Sequence, residues 1–80
     1  MKKAKKEGIE LVKKLANDNG WLLDRYGNYK KERDGRSYRL KINPNKIRIE
    51  VKTGGGWVRI RSYFYSDLRI NNIEFTTLIR

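Results

Sequence analysis

Residues 46–63 read KIRIEVKTGGGWVRIRSY. On the first arm Ile47, Ile49 and Val51 alternate with Lys46, Arg48, Glu50 and Lys52; on the second, Val58 and Ile60 alternate with Trp57, Arg59, Arg61 and Tyr63. Successive side chains leave a strand on opposite sides, so a period of two marks a strand with one face on a core and one in water. Thr53-Gly54-Gly55-Gly56 joins the arms through permissive backbone, and the stretch reads as an antiparallel hairpin. A nucleotide cradle would need backbone amides converging at a helix N-terminus and a Lys-Ser/Thr after the glycines. Here a strand follows, and GGGW has neither feature.

Working outward, residues 36–42 (RSYRLKI) repeat the alternation, with Tyr38, Leu40 and Ile42 on one side and Arg39 and Lys41 on the other. Asn43-Pro44-Asn45 turns the chain between these two strands. Asp34-Gly35 is a two-residue hairpin turn, because both central positions need positive φ. Before it, residues 21–25 (WLLDR) and 29–33 (YKKER) are short strand candidates joined by Tyr26-Gly27-Asn28.

Residues 3–18 change period: Ile9, Leu11, Val12, Leu15 and Ala16 form one helical stripe. Asn19-Gly20 supplies a left-handed C-terminal cap, and Trp21 packs back on the last turn. Gly8 inside this helix carries a propensity cost. Residues 64–68 have no clear period and admit one helical turn. Asn71-Asn72 makes a last tight turn between residues 68–70 and 73–79. The expected fold is α+β, a single small basic domain over residues 1–80. One N-terminal helix packs on an antiparallel β-meander of four to six strands, and its stripe is the only element available to cover the apolar face.

Lys and Arg number 20 against 9 Asp and Glu, a formal charge of +11 on 80 residues. Self-repulsion of that size costs stability and is usual where the partner is a polyanion. Nucleic acid is the first expectation, RNA or DNA; an acidic protein surface and an anionic membrane are the other polyanions. The chain has no Cys and no His, which removes disulfides, thiolate metal sites and the usual general base. No cofactor is expected. No apolar run approaches the ~20 residues of a membrane span, and no apolar h-region follows MKKAKKEG. The expectation is an intracellular protein, cytoplasmic or in the nucleoid or nucleus, with no membrane partner.

The expected open face collects Arg39, Lys41, Lys46, Arg48, Lys52, Arg59 and Arg61, interleaved with Trp57 and Tyr63 and offset only by Glu50. Like charges facing each other across strands are destabilising. Outward Lys and Arg also shield sheet edges, which is the plainer reading. The functional reading is a face that binds phosphates through its cations and stacks bases on Trp57 or Tyr63. Gly55 would leave room for the bound strand beside Trp57. The Lys cluster at residues 2–6 opposes the helix macrodipole, a mild sign of an anionic partner.

Residues 7–42, with the helix ELVKKLANDNGW, then LLDR, the turn GNY and a DG hairpin, resemble the HicA-type mRNA-interferase toxins. That resemblance implies a double-stranded-RNA-binding-like α-β-β-β scaffold. Asn28-Tyr29 stand where that family has its catalytic His, so the nuclease chemistry is not implied. Residues 38–64, with YR, alternating strands and GGGW, are similar to the growth-arrest-specific-type GAR domain, which implies microtubule binding. Ile49-Glu50-Val51-Lys52 resembles the Glu-x-Lys half of the PD-(D/E)xK nucleases, in which an Asp and the Glu hold Mg²⁺ while the Lys activates water. The nearest preceding Asp here, Asp34, sits in a turn. The expected function is therefore non-enzymatic nucleic-acid binding. The alternatives are a cytoskeletal interaction module and a metal-dependent nuclease.

Overall fold

A computed structural model describes residues 3–80, with side chains from Lys5 onward. Helix α1 spans Lys3–Asp18. Five strands follow: β1 (Leu22–Leu23), β2 (Tyr29–Arg33), β3 (Arg36–Ile42), β4 (Lys46–Thr53) and β5 (Gly56–Phe64). A 3-10 turn at Tyr65–Asp67 and helix α2 (Ile73–Leu78) complete the chain. The strands form one sheet in the order β1-β2-β3-β4-β5, every neighbouring pair antiparallel. This is the α+β meander that the alternation predicts.

The local devices explain the boundaries. At the end of α1, the Trp21 N–H donates to the Ala16 carbonyl at 2.9 Å and the Gly20 N–H to the Asn17 carbonyl at 3.3 Å. Gly20 sits at φ +82°, the left-handed residue of a Schellman cap. Trp21 is buried, and its indole N–H donates to the Ile79 carbonyl, so it ties α1 to the C-terminal segment as well. Gly8 has a packing reason. A Cβ there would lie 2.0 Å from the Tyr65 carbonyl oxygen, because α1 passes directly over the 3-10 turn. Asp34 at φ +53° and Gly35 at φ +75° both take the conformation their hairpin turn requires.

The core lies between the sheet and both helices. Val12 and Ala16 of α1 meet Leu40, Ile47 and Ile49 of the sheet, with Tyr65, Leu68, Phe75 and Ile79 closing the layer. Here the structure corrects the expectation of a single covering helix. The tight turn at Asn71-Asn72 is present, the Asn72 N–H donating to the Arg69 carbonyl at 3.0 Å, but it leads into a helix: the Asn72 Oδ1 accepts the Phe75 N–H at 2.9 Å and caps α2. The capped turn rotates Phe75 into the core, where it is fully buried.

Two strands also differ from their predicted extent. Only Leu22 and Leu23 of residues 21–25 pair with β2. Asp24 instead organises the connecting loop, its Oδ1 accepting the Tyr26 N–H at 2.8 Å and the Asn28 N–H at 3.0 Å. The Asn28 amide is the main reason that the Asp24 carboxyl is held below its ordinary pKa. In β5 the ladder slips: Ile49 pairs with Arg61 but Glu50 pairs with Arg59, leaving Ile60 unopposed. A β-bulge of this kind inserts one residue, and every later side chain changes face.

Candidate nucleic-acid interface

Cross-strand partners share a face, so the register defines the open side of the sheet residue by residue. One row runs Leu22–Lys30–Arg39–Glu50–Arg59 across all five strands. The row beside it runs Glu32–Ser37–Lys52–Trp57, and on the other flank lie Lys41, Arg48 and Ser62. Lys46 and Phe64 form the last pair. The predicted cations Arg39, Lys41, Lys46, Arg48, Lys52 and Arg59 are thus gathered on one face with Trp57.

Arg61 and Tyr63 do not belong to it. The bulge turns both onto the helix side, where Arg61 lies opposite Ile49 and Tyr63 opposite Ile47. Tyr63 packs edge-on against Phe75 at a centroid distance of 5.5 Å and donates its hydroxyl to Glu74. Arg61 reaches the same carboxylate at 3.4 Å. Burial, reinforced by Glu74, pushes the Tyr63 phenol up to about 12. Val58 keeps the side predicted for it, opposite Val51, but stays 51% exposed, and the unopposed Ile60 is 41% exposed. The inner face is therefore shorter on β5 than strict alternation implies.

Glu50 was expected in solvent and is 2% exposed. Arg39, its cross-strand neighbour, donates Nε–H to Oε1 at 2.7 Å, and Arg48, two residues back on the same strand, reaches Oε2 at 3.3 Å. A buried carboxylate is tolerable only with such charge-assisted partners. The same geometry accounts for Trp57. Its indole lies back across β4, with the Arg39 guanidinium 4.4 Å from the ring centroid and the Lys30 and Lys52 ammonium groups each at 6.0 Å. Arg39 is therefore held by Glu50 on one side and the indole on the other, an ion pair backed by a cation–π contact.

The remaining cations are differently placed. Among the described residues, Lys41, Lys46, Lys52 and Arg59 form no ion pair; Arg59 instead donates to the Ser62 hydroxyl at 3.2 Å. Gly55 lies exposed at the β4–β5 turn and donates its N–H to the Thr53 hydroxyl at 3.2 Å. Gly56, at φ +119°, is the residue of that turn whose backbone calls for glycine. Gly54 and Gly55 are outside the left-handed region, and a Cβ on either would meet at most the Thr53 hydroxyl at 4.0 Å. Of the residue 2–6 Lys cluster, Lys5 donates to the Asn45 side chain at 2.8 Å, while Lys2 and the Lys3 side chain lie outside the described residues.

Sequence reasoning missed Lys30, Glu32 and Leu22 as members of this face. YKKER has no apolar alternation beyond Tyr29, so only the pairing with β3 shows which residues face out. Leu22, Lys30, Glu32, Ser37, Lys52 and Trp57 together edge a groove of about 510 Å³ on the open side near β1.

The fold and this face define a class: a small α+β domain with a cationic, tryptophan-bearing open sheet. Comparison with protein-family models, with curated proteins and with solved structures gives no match. No helix among the described residues is long and apolar enough to cross a membrane.

Proposed function

We propose that this protein is a non-enzymatic nucleic-acid-binding domain that uses the open face of its sheet. The observation that carries the reading is that Lys41, Lys46, Lys52 and Arg59, free of ion pairs among the described residues, share one sheet face with an indole held in place by the Glu50-anchored Arg39. Phosphates recruit such cations by counterion release, and an aromatic on a cationic sheet is a stacking platform for unpaired bases. The overall charge of +11 favours the encounter at long range.

A salt series tests it. Labelled single-stranded and duplex oligonucleotides are titrated at about 50 to 200 mM salt, with an expected log–log slope of roughly −4 on duplex DNA if each of these cations neutralises one phosphate. Lys41→Ala with Lys46→Ala should make that slope shallower by roughly two. Absence of binding at low salt, or tight binding that ignores salt, overturns the reading.

A further inference from the structure

The groove beside Trp57 has a more specific chemistry than a phosphate track. We propose that it is a pocket for one unstacked guanine base of a single strand, an inference that rests on the nucleic-acid reading above. Its volume of about 510 Å³ falls within the range of small-ligand pockets, about 300–1,000 Å³. Its walls are of three kinds. Trp57 gives a flat aromatic surface and Leu22, 75% exposed, an apolar one. Lys30 and Lys52 bring ammonium groups to the indole. Glu32 brings a carboxylate.

That carboxylate distinguishes the groove from the rest of the face. Glu50 is consumed by Arg39 and Arg48, and Asp24, which also lines the groove, is taken up by its own loop through Oδ1 and by Lys30 at 3.9 Å from Oδ2. Glu32 has a single weak contact among the described residues, the Ser37 hydroxyl at 3.4 Å from Oε2. It stays accessible because β1 pairs only with Tyr29 and Lys30, leaving the β2 edge from Lys31 onward without a strand beside it. A carboxylate accepts hydrogen bonds and repels phosphate, so it is out of place in a site for backbone alone.

Base chemistry selects among the possible occupants. Guanine has two adjacent donors, N1–H and the N2 amino group, that match the two oxygens of a carboxylate. Its O6 and N7 are acceptors, the usual target of Lys or Arg. Uracil and thymine offer a single ring donor between two carbonyls, which would face Glu32 with like polarity. Cytosine and adenine offer an amino group next to an acceptor nitrogen. Only guanine offers Glu32 two adjacent donors, one for each carboxylate oxygen, while presenting O6 and N7 to a Lys and stacking on Trp57.

The test uses uridine-rich single strands of about ten nucleotides, the size one small domain covers, with and without one central guanine. Binding is followed by strand anisotropy and by tryptophan fluorescence, with Trp21 buried in the core as the unquenched contrast. The guanine strand is expected to bind roughly tenfold more tightly, with stronger quenching. Glu32→Gln should bring the affinities of the two strands within about twofold of each other. The ratio within one variant is the readout, so a loss of folded protein cannot imitate the result. Equal binding of both strands by the unmodified protein, with a steep salt slope retained, overturns the guanine pocket and leaves the nucleic-acid reading standing. A guanine preference undiminished in Glu32→Gln overturns the assignment as well. Failure of every strand to bind at low salt removes both.

Discussion

On the helix side of the sheet Leu40, Ile47 and Ile49 are at most 1% exposed, whereas on the open side the deepest residue is Glu50, at 2%. The first group is held by apolar burial, which is non-directional and tolerates some repacking. The second is held by a carboxylate between two guanidiniums, which depends on distance and angle. Trp21 and Trp57 follow the same division, one enclosed between two helices and the other lying on a cationic surface under Arg39. The difference teaches that an uncovered sheet face still has an interior, built here from charge. It also teaches that cations fixed by that interior are not the ones most available to a partner.

The sharpest way to break the comparison is to remove one anchor from each side. Leu40→Ala should cost about 3 kcal/mol through lost transfer energy and the cavity it leaves. Glu50→Ala should cost a similar amount, about 3 kcal/mol, because two partly enclosed guanidiniums lose their shared counter-charge. Urea unfolding midpoints measure both. A loss under about 0.5 kcal/mol for Glu50→Ala, the usual range for surface changes, would make the open face an ordinary solvated one.

Gly8→Ala probes the helix side where backbone meets backbone. Alanine gains about 1 kcal/mol of helix propensity, yet its Cβ would lie 2.0 Å from the Tyr65 carbonyl. The clash should win, with a net loss of about 1–3 kcal/mol and a lower thermal midpoint. A stabilised variant would show that α1 is not pressed onto the 3-10 turn.

Alkaline titration separates the sides by pH. Tyr63 and Tyr65 both rise from 10.0 to about 12, chiefly through burial, with Glu74 adding to the effect at Tyr63. A folded pKa above the unfolded one gives stability that is whole below pH 10 and declines as the pH rises through about 12. Tyr63→Phe with Tyr65→Phe should flatten that decline in thermal midpoints. The Tyr65 hydroxyl is buried beside the Asn43 backbone without hydrogen-bond geometry, so its removal should cost little at neutral pH. An equally steep decline in the variant would locate the alkaline sensitivity outside these phenols.

The smallest stability effects come from the arginines on either side of the bulge. Arg59→Ala and Arg61→Ala should each change stability by no more than about 0.5 kcal/mol, the second removing an exposed ion pair. Only Arg59→Ala should weaken nucleic-acid binding and make the salt slope shallower by roughly one. Equal losses of affinity would mean that the two residues share a face and that β5 has no bulge.

The bulge also marks the limit of what could be read along the chain. From Val58 and Ile60 to Tyr63 and Tyr65 the apolar residues change from even to odd positions, and that change of parity is its trace in the sequence. Strict alternation carried through it puts Arg61 and Tyr63 on the wrong face. Asn72 was legible as a turn residue, but it serves as a helix cap because Phe75 finds a place in the core. For Glu50 the only trace was that it stood alone among cations. Lys30 and Glu32 left none, since a strand written YKKER gains its orientation from its neighbour.

By itself the sequence determined the periods and their punctuation: the stripe and glycine cap of α1, the DG hairpin, the alternation of β3 and β4, and a charge in search of an anion. These depend on contacts between near neighbours along the chain, so local pattern is enough to specify them. The tertiary structure decided the register of β5, the capture of Glu50 by Arg39 and Arg48, the posture of Trp57 and the opening of a groove beside Glu32. Each of these depends on which residue of another strand stands opposite, and no local period encodes that.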